Sequence, residues 1–441
     1  MAGPMRLLYL CLGHCLAPIA FVRECWRAYR QPHYRPGLWG RWGFGSTVAD
    51  RAIWVHAVSV GEVQAAGPLV RRLAKEYPDR PLVLTASTAT GRQRAASLYG
   101  RIADVRYLPY DLPGSVTRFL DRVRPTVGVI LETELWPTLF RACERRKIPL
   151  LVASARLSER SVRRYRRVGA WVRSLLGAPQ VSVAAQTEAD RERFLLLGAG
   201  AERTRVSGNV KYDQGVPADL PDAAAARRAE LGRGRPIWVA GSTHEGEEAA
   251  ALAAHRRVLQ ALPEALLVLA PRHPPRFEAV ADLLDRAQVV WVRRTAGPAS
   301  VPSTASVLLL DTLGELVLHY AAADVAFVGG SLAPIGGHNL LEPLAVQCPV
   351  VAGPSDHNDA RTARLLKEAE AIQEVPDADA LPGAILRLLT DRVTAARMLA
   401  SADRVLAANQ GAVQRVFEQL EPLLEHGSAI SAPTPDDPAS R

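Results

Sequence analysis

The chain has 441 residues, of which 48% are hydrophobic and 22% charged, and 54 basic residues against 45 acidic ones give a net charge of +9. This composition is typical of a globular protein with about two to four domains. It excludes collagen, coiled coils, disulfide scaffolds and multi-span membrane proteins. The basic charge favours nucleic acid, an anionic membrane or a phosphorylated substrate as partner without choosing among them. The five cysteines form no C-x-x-C pair, which favours a reducing compartment and argues against a zinc site.

The N-terminal segment is apolar and is followed by basic and aromatic residues. Residues 7–22 carry no charged side chain, and a helix of that length spans about 24 Å, slightly less than a bilayer core of roughly 30 Å. The mixture of charges and rings that follows is typical of a cytoplasmic membrane interface. We therefore expect residues 1–49 to form a membrane anchor and an interface segment, with a cleaved signal peptide and a buried helix as alternatives. The interface residues are Arg23, Trp26, Arg27, Tyr29, Arg30, Tyr34, Arg35, Trp39, Arg41 and Trp42.

From residue 50, short apolar runs alternate with longer amphipathic segments, which predicts parallel sheets covered by helices on both faces. Predicted helices include Val63–Glu76, Pro137–Arg146 and further segments from Ala384 to about Leu424. Residues 214–235 are expected to form a linker, with at most one helix, between two α/β domains, 50–213 and 236–426, although the last helices could cross back to the first domain. Residues 427–441 are expected to be a disordered tail. The predicted strands are Ile53–Ser59, Leu82–Ser87, Val105–Tyr110, Thr126–Glu132, Pro149–Ser154, Val181–Gln186, Ile237–Ala240, Ala265–Ala270, Val289–Val292, Val307–Leu310, Val325–Val328 and Pro349–Ala352.

Polar residues follow many of these strands. Ligands of open α/β sheets bind outside the carboxyl ends of the strands, so we expect the two domains to face each other across a cleft lined by these loops. Glu62 lies in the first turn of a predicted helix, where it either interacts favourably with the helix dipole or acts as a general base. Glu132 and Glu134 either are strand-end carboxylates before a helix that starts near Pro137, or lie at the edge of a cleft where one serves as a general base. Lys211 either neutralises the charge of the donor or is solvated.

Two glycine-rich loops in the second half are candidates for binding phosphate. Gly329-Gly330-Ser331 and Gly336-Gly337-His338 both follow the same predicted strand, and glycines let backbone amides approach an anion. Arg272 would add a charge-assisted contact. The alternative is that the glycines only form tight turns. The arginine-rich run of residues 156–173 is either a solvated helix face or a surface for lipid headgroups or a phosphorylated acceptor.

Nine segments in one order carry a resemblance to a known family. The chain resembles the 3-deoxy-D-manno-octulosonic acid (Kdo) transferases, which act on lipid A precursors, and the resemblance spans residues 50–355. Nine ordered segments are far more specific than any one of them. They are His56–Glu62 (HAVSVGE), Thr85–Thr90, Glu132–Pro137 (ETELWP), Ser154–Arg167, Gly208–Asp213 (GNVKYD), Ala240–Glu248 (AGSTHEGEE), Leu269–His273 (LAPRH), Asp311–Leu316 (DTLGEL) and Phe327–Pro343 (FVGGSLAPIGGHNLLEP).

The resemblance implies a GT-B fold with the active site between two Rossmann-like domains. It implies an inverting transfer from CMP-Kdo to lipid IVA at the cytoplasmic face of the inner membrane, with neither metal nor cofactor. Glu62 would be the general base, and Glu132 and Lys211 would support the transition state. The CMP site would contain Pro271, Arg272, Leu313, Gly314, Glu315, Asn339, Leu340, Leu341 and Glu342. Residues 355–359 (SDHND) depart from the family, which commonly has an aromatic-containing stretch there, and this puts local contacts in doubt.

Two other functions compete with Kdo transfer. The first is a GT-B enzyme that uses another nucleotide sugar. The second is a membrane-surface or RNA-binding protein without catalysis, but binding alone would not require carboxylates and glycines at strand ends. We therefore expect CMP-Kdo, lipid IVA and an anionic membrane surface as partners, and no nucleic acid.

Overall fold

A computed structural model describes residues 3–30, 37–49, 51–217, 219–296 and 300–430. The interface residues Tyr34 and Arg35 and tail residues 431–441 lie outside these ranges. The chain divides into two compact units. Unit 1 comprises residues 1–213 and 410–441, and unit 2 comprises residues 214–409.

Each unit contains one all-parallel sheet of seven strands. In unit 1 the strand order is β3-β2-β1-β4-β5-β6-β7, and in unit 2 it is β10-β11-β9-β8-β12-β13-β14. The strands are β1 Ala52–His56, β2 Leu82–Ala86, β3 Asp104–Tyr107, β4 Pro125–Leu131, β5 Leu150–Ala155, β6 Val181–Ala185, β7 Thr204–Val206, β8 Ile237–Thr243, β9 Leu266–Pro271, β10 Trp291–Arg293, β11 Val307–Leu309, β12 Val325–Val328, β13 Val350–Ala352 and β14 Gln373–Glu374.

Helices connect most of the strands. They are α1 Gly3–Arg30, α2 Val60–Ala65, α3 Gly67–Glu76, α4 Ala89–Tyr99, α5 Pro113–Val123, α6 Pro137–Arg145, α7 Glu159–Arg166, α8 Gly169–Leu176, α9 Glu188–Leu196, α10 Leu220–Leu231, α11 Glu247–Ala261, α12 Phe277–Arg286, α13 Leu316–Ala321, α14 Leu341–Ala345, α15 Ala360–Glu368, α16 Leu381–Thr390, α17 Arg392–Asn409 and α18 Ala412–Ile430.

The central strands are apolar because helices cover both faces of each sheet. Every residue of β1 and β4 is buried. In unit 1 the core lies on both sides of the sheet. One side contains Trp54, Phe119 and Phe140, and the other contains Leu69 and Phe417.

The last helix, α18, packs on unit 1. Val416, Phe417 and Leu420 of α18 are buried in the core of that unit. The carboxylate of Asp213 accepts hydrogen bonds from the amides of Gly411 (2.7 Å) and Val413 (2.5 Å), which fixes the start of the helix. The helix also continues to Ile430, four residues into the segment expected to be disordered.

Several elements differ from those predicted by the sequence. The helix expected over Val63–Glu76 begins earlier, because Ser59 caps α2, and it is divided at Ala66, where Pro68 lies in the first turn of α3. The linker segment contains one helix, α10, which its sequence allowed. The strands β7 and β14 were not predicted, because edge strands of three and two residues carry little apolar pattern.

Candidate functional site

In unit 1, Glu62 is fixed at the carboxyl end of β1. Its amide donates to the side chain of Ser59 (3.5 Å), and its carboxylate accepts from the hydroxyl of Ser59 (3.1 Å) and from the amide of Val58 (2.9 Å). Ser59 is the N-cap of α2, and the side chain of Glu62 turns back to the hydroxyl of Ser59 and to the amide of the residue before it. The carboxylate is therefore held by two donors instead of rotating freely.

Three carboxylates influence one another in this region. Burial, together with the charge of Glu132, raises the pKa of Glu62. Burial, together with Glu62 and Glu132, raises the pKa of Glu134 to about 7. A raised pKa makes an ionised carboxylate a stronger base. Unit 1 thus offers two carboxylates with a raised pKa, Glu62 and Glu134.

Glu132 lies between two cations. Its carboxylate is 3.3 Å from Nζ of Lys211 and 3.1 Å from Nε of Arg156. Its backbone has φ +57°, a conformation that costs energy in a non-glycine residue and is found disproportionately at functional sites. The structure therefore places Glu132 and Lys211, two residues 79 positions apart, in one ion pair.

Two residues that the sequence analysis did not single out hold Lys211 in place. Ser154 has φ +53° at an irregularity in the pairing of β5 with β6, and its hydroxyl accepts from the amide of Val210 (3.4 Å). The side-chain oxygen of Asn209 accepts from the amide of Lys211 (3.0 Å). The sequence signal that could have identified Ser154 and Asn209 is their position beside charged residues at the ends of strands.

In unit 2, the residues predicted to bind CMP lie in three segments. Pro271 ends β9 and Arg272 follows it, Leu313–Glu315 follow β11, and Asn339–Glu342 lead into α14. Because β11, β9, β8 and β12 are neighbours in the sheet, the loops that follow them meet at one edge.

Two local networks order these loops. Glu315 accepts from Arg294 (3.0 and 3.3 Å) and from Thr312 (2.9 Å), and although burial opposes the effect, these bonds lower the pKa of its carboxyl group. The side chain of Asn339 donates to Glu342 (3.2 Å) and accepts from the amide of Leu341 (3.1 Å).

The first glycine loop binds a carboxylate of its own unit. Glu247 is 2% exposed, and it accepts from the amides of Gly330 (2.7 Å), Leu332 (3.0 Å) and Ala333 (3.1 Å). It also accepts from the amide of His244 at 2.9 Å. The carboxylate therefore occupies the amides that the sequence led us to expect around a phosphate.

Four further amides of the two loops also have partners inside the unit. Gly329 donates to Gly241 (2.8 Å), Gly336 to the hydroxyl of Ser355 (3.0 Å), Gly337 to Gly330 (2.7 Å) and His338 to Gly329 (3.2 Å). Positive φ angles of +69° at Gly330 and +71° at Gly337 explain why glycine is needed at these turns. The two loops thus make hydrogen bonds within unit 2, and phosphate binding by them stays a prediction. The hydroxyl of Ser331 is also engaged, with the carbonyl of Val328 (2.5 Å).

Three imidazoles lie close to Arg272. Nε2 of His244 is 2.7 Å from Nε2 of His338, and the ring of His273 is 5.3 Å from that of His244. Burial and the neighbouring charge of Arg272 lower the pKa of His338 to about 3, and burial lowers those of His244 and His273. The rings are therefore uncharged at neutral pH, and one ring of the pair must donate its proton to the other.

The loop that departs from the family pattern packs on both glycine loops. The amide of Ser355 donates to Ser331 (2.9 Å), and the side chain of Asn358 donates to the carbonyls of Ile335 (3.0 Å) and Gly337 (3.1 Å). The polar residues of this segment thus supply hydrogen bonds that a more apolar sequence would lack.

Metal ligands are not grouped in the part of the chain that the structure describes: no set of three or more His, Cys, Asp or Glu side chains there is placed to hold a metal ion. The arginine-rich helix α7 has no buried residue. Among the described residues, Met5–Arg30 is the one helix that is long and apolar enough to span a membrane, by length and composition.

Two parallel α/β units with polar groups at the carboxyl ends of their strands form the GT-B fold. The fold is similar to that of HepE from Anabaena, solved with UDP, with a TM-score of 0.55 and 17% identity over 85% of this chain and all of that one.

Sequence comparisons give the family. Residues 36–214 match the model described as 3-deoxy-D-manno-octulosonic-acid transferase (kdotransferase). The 3-deoxy-D-manno-octulosonic acid transferase of Haemophilus influenzae is 41% identical over 90% of this chain and 93% of its own length. That of Bordetella pertussis is 38% identical over 92% of this chain and 96% of its own length. The chain belongs to the Kdo transferase family.

Proposed function

We propose that this protein transfers Kdo from CMP-Kdo to a hydroxyl group of lipid IVA, with inversion and without a metal ion. The observation that carries the proposal is the geometry of unit 1, in which a carboxylate with a raised pKa is held by two donors beside a second carboxylate paired with a lysine. Membership of the Kdo transferase family supports Kdo as the sugar that is transferred.

Glu62 is the general base in this proposal. Its carboxylate takes the proton of the acceptor hydroxyl while that oxygen bonds to the anomeric carbon of Kdo. The bond from this carbon to the CMP phosphate breaks, and its electron pair leaves with CMP. Proton removal by a positioned base contributes about 10²–10⁴-fold to a rate. Glu132 holds Lys211, whose ammonium group stabilises negative charge in the transition state.

Unit 2 binds CMP in this proposal. Arg272 contacts the phosphate, and the neutral imidazoles of His244, His273 and His338 donate or accept protons beside it. An arriving phosphate favours protonation of these rings, since its negative charge offsets the effect of Arg272. Side chains thereby supply the positive charge that a metal would otherwise provide. Leu313–Glu315 and Asn339–Glu342 complete the CMP site.

The acceptor is proposed to be reached at the cytoplasmic side of the inner membrane. The apolar helix α1 supports attachment to a membrane, and the exposed arginines of α7 suit the phosphates of a lipid IVA headgroup. An anionic membrane surface is the second partner that these features favour.

Mass spectrometry of the acceptor tests the proposal. Purified protein is incubated with CMP-Kdo, lipid IVA and EDTA, and we expect products heavier by one or more Kdo units. Glu62→Gln keeps the size of the side chain and is expected to lower product formation by about 10²–10⁴-fold, while calorimetry shows unchanged binding of CMP. Unmodified lipid IVA with intact CMP-Kdo would refute the donor and acceptor. Near-normal turnover of Glu62→Gln would refute the base and point to Glu134.

A further inference from the structure

One face of α1 is attached to the folded body of unit 1. The hydroxyl of Tyr9 donates to the carboxylate of Asp111 at 2.8 Å, and Glu24 pairs with Arg41 at 3.0 Å. Ala17 and Ala28 are buried, and they lie on the same side of the helix as Tyr9 and Glu24. These side chains follow one another at intervals of eight, seven and four residues, close to whole numbers of helical turns.

These contacts are spread along the helix. Fifteen residues separate Tyr9 from Glu24, which corresponds to about 22 Å of helix. Asp111 is buried and also accepts from the amides of Thr138 and Leu139 (both 2.8 Å) at the start of α6, so it belongs to the interior of unit 1. At the other end, Arg41 donates to the carbonyl of Leu108.

This attachment is incompatible with a helix that crosses the bilayer. If Glu24 lay at the membrane surface and α1 were upright, Tyr9 would lie about 22 Å deeper. Asp111, which is bonded to Tyr9, and the first turn of α6 would then also lie in the hydrocarbon region. Burying a carboxylate and irregular backbone against lipid is strongly unfavourable.

The opposite face of α1 is apolar and exposed. Leu8, Leu12, Ile19, Val22 and Trp26 are each more than half exposed, with values between 52% and 66%. Such a stripe along a helix of 28 residues is typical of helices that lie in a membrane interface. The exposed arginines of this helix are Arg23, Arg27 and Arg30.

A second basic element lies next to the attached face. The ring of Trp171 on α8 is 5.4 Å from the ring of Tyr9, and α8 also contacts α7. Arg163, Arg164 and Arg166 on α7 are exposed. Positive charge beside an exposed apolar stripe complements an anionic lipid surface.

We propose that α1 lies in the plane of an anionic membrane, with its exposed face at the boundary between headgroups and acyl chains and its other face on unit 1. This proposal deepens the membrane attachment proposed above, and it does not depend on which sugar is transferred. The helix is thus part of the body of the enzyme and does not act as a tether.

Depth measurements test the orientation. Single cysteines at Leu8, Leu16 and Val22 are labelled with bimane in full-length protein bound to vesicles of phosphatidylglycerol and phosphatidylethanolamine. The native Cys11, Cys15 and Cys25 are replaced by serine, while Cys143 and Cys348 are buried. Quenching by lipids brominated at known depths is expected to place all three labels at the same shallow level. A depth that changes by about 21 Å from residue 8 to residue 22 would overturn the proposal, since that is the rise of an upright helix.

Vesicle sedimentation tests the surface itself. We expect Leu12→Glu with Ile19→Glu to lower binding at least tenfold, and the control Val393→Glu, at an exposed position of unit 2, to leave it unchanged. Arg163→Gln and Arg164→Gln are each expected to lower binding to anionic vesicles by roughly fivefold and to leave binding to neutral ones unaffected. Full binding by the double glutamate variant would overturn the proposal. The proposal would also be overturned if the unaltered chain formed a dimer instead of binding vesicles, and if the double glutamate variant did not form that dimer. Vesicle binding without Kdo transfer would instead refute only the proposed function.

Discussion

Replacing Glu247 with glutamine tests how the first glycine loop is held. The carboxylate has two oxygens, and each accepts from two backbone amides: one from Leu332 and Ala333, the other from His244 and Gly330. Glutamine has one oxygen, and its NH₂ group would face the other pair of donors. The variant therefore loses two charge-assisted hydrogen bonds. The loss occurs in the protein interior, since Glu247 is only 2% exposed.

The expected cost follows from that count. Hydrogen bonds to charged groups contribute about 1.5–3 kcal/mol each, so two of them amount to about 3–6 kcal/mol. Because about 1.4 kcal/mol corresponds to a factor of ten, the loop should open about 10²–10⁴-fold more often. Such a cost is a large part of the stability of an ordinary domain, about 5–15 kcal/mol.

Hydrogen exchange with mass spectrometry measures this opening. Peptides that cover Gly330, Leu332 and Ala333 should lose protection in Glu247→Gln, whereas peptides from β4 in unit 1 should keep theirs. Glu245→Gln is the matched control, since Glu245 is 89% exposed and its contact with Arg276 at 3.4 Å is a surface ion pair. Unchanged protection of the loop in Glu247→Gln would refute this account of the glycine loop.

Two further predictions concern catalysis and CMP binding. In Glu132→Gln, the acid limb of the pH profile of kcat/KM should move to lower pH. Loss of the neighbouring charge lowers the pKa of Glu62, so the base stays ionised further into acid; a limb that stays in place or moves up would contradict a base at Glu62. Arg272→Ala should weaken CMP binding about 10–100-fold in calorimetry, through loss of a charge-assisted contact, and unchanged affinity would remove Arg272 from the CMP site.

Strand positions could be predicted from the sequence because buried parallel strands are continuous apolar runs. All twelve segments centred on such runs, for example those at β1 and β4, lie within two residues of their predicted starts and within three of their predicted ends. The bulge that gives Ser154 its positive φ could not be predicted, since it arises from the pairing of β5 with β6 and leaves no periodic signal.

The residues of the candidate sites could be predicted from the sequence, but the contacts between them could not. The charged residues at strand ends were recognisable, and the structure joins Glu132 to Lys211. The binding of Glu247 to the loop that begins at Gly329 depends on contacts between residues about 85 positions apart. A glycine-rich loop that binds phosphate and one that binds an internal carboxylate have the same sequence signature.

The return of α18 to unit 1 affects how the chain folds during synthesis. The buried side chains of Phe417 and Leu420 leave the ribosome after those of unit 2, so unit 1 lacks part of its core until all of unit 2 has been made. At about 5–20 residues per second, the residues of unit 2 take about 10–40 s to translate. During this interval the first-made unit exposes apolar strands while its N-terminal helix is already free to meet lipid. A C-terminal truncation would therefore damage the N-terminal unit first, although the deleted residues lie at the other end of the gene product.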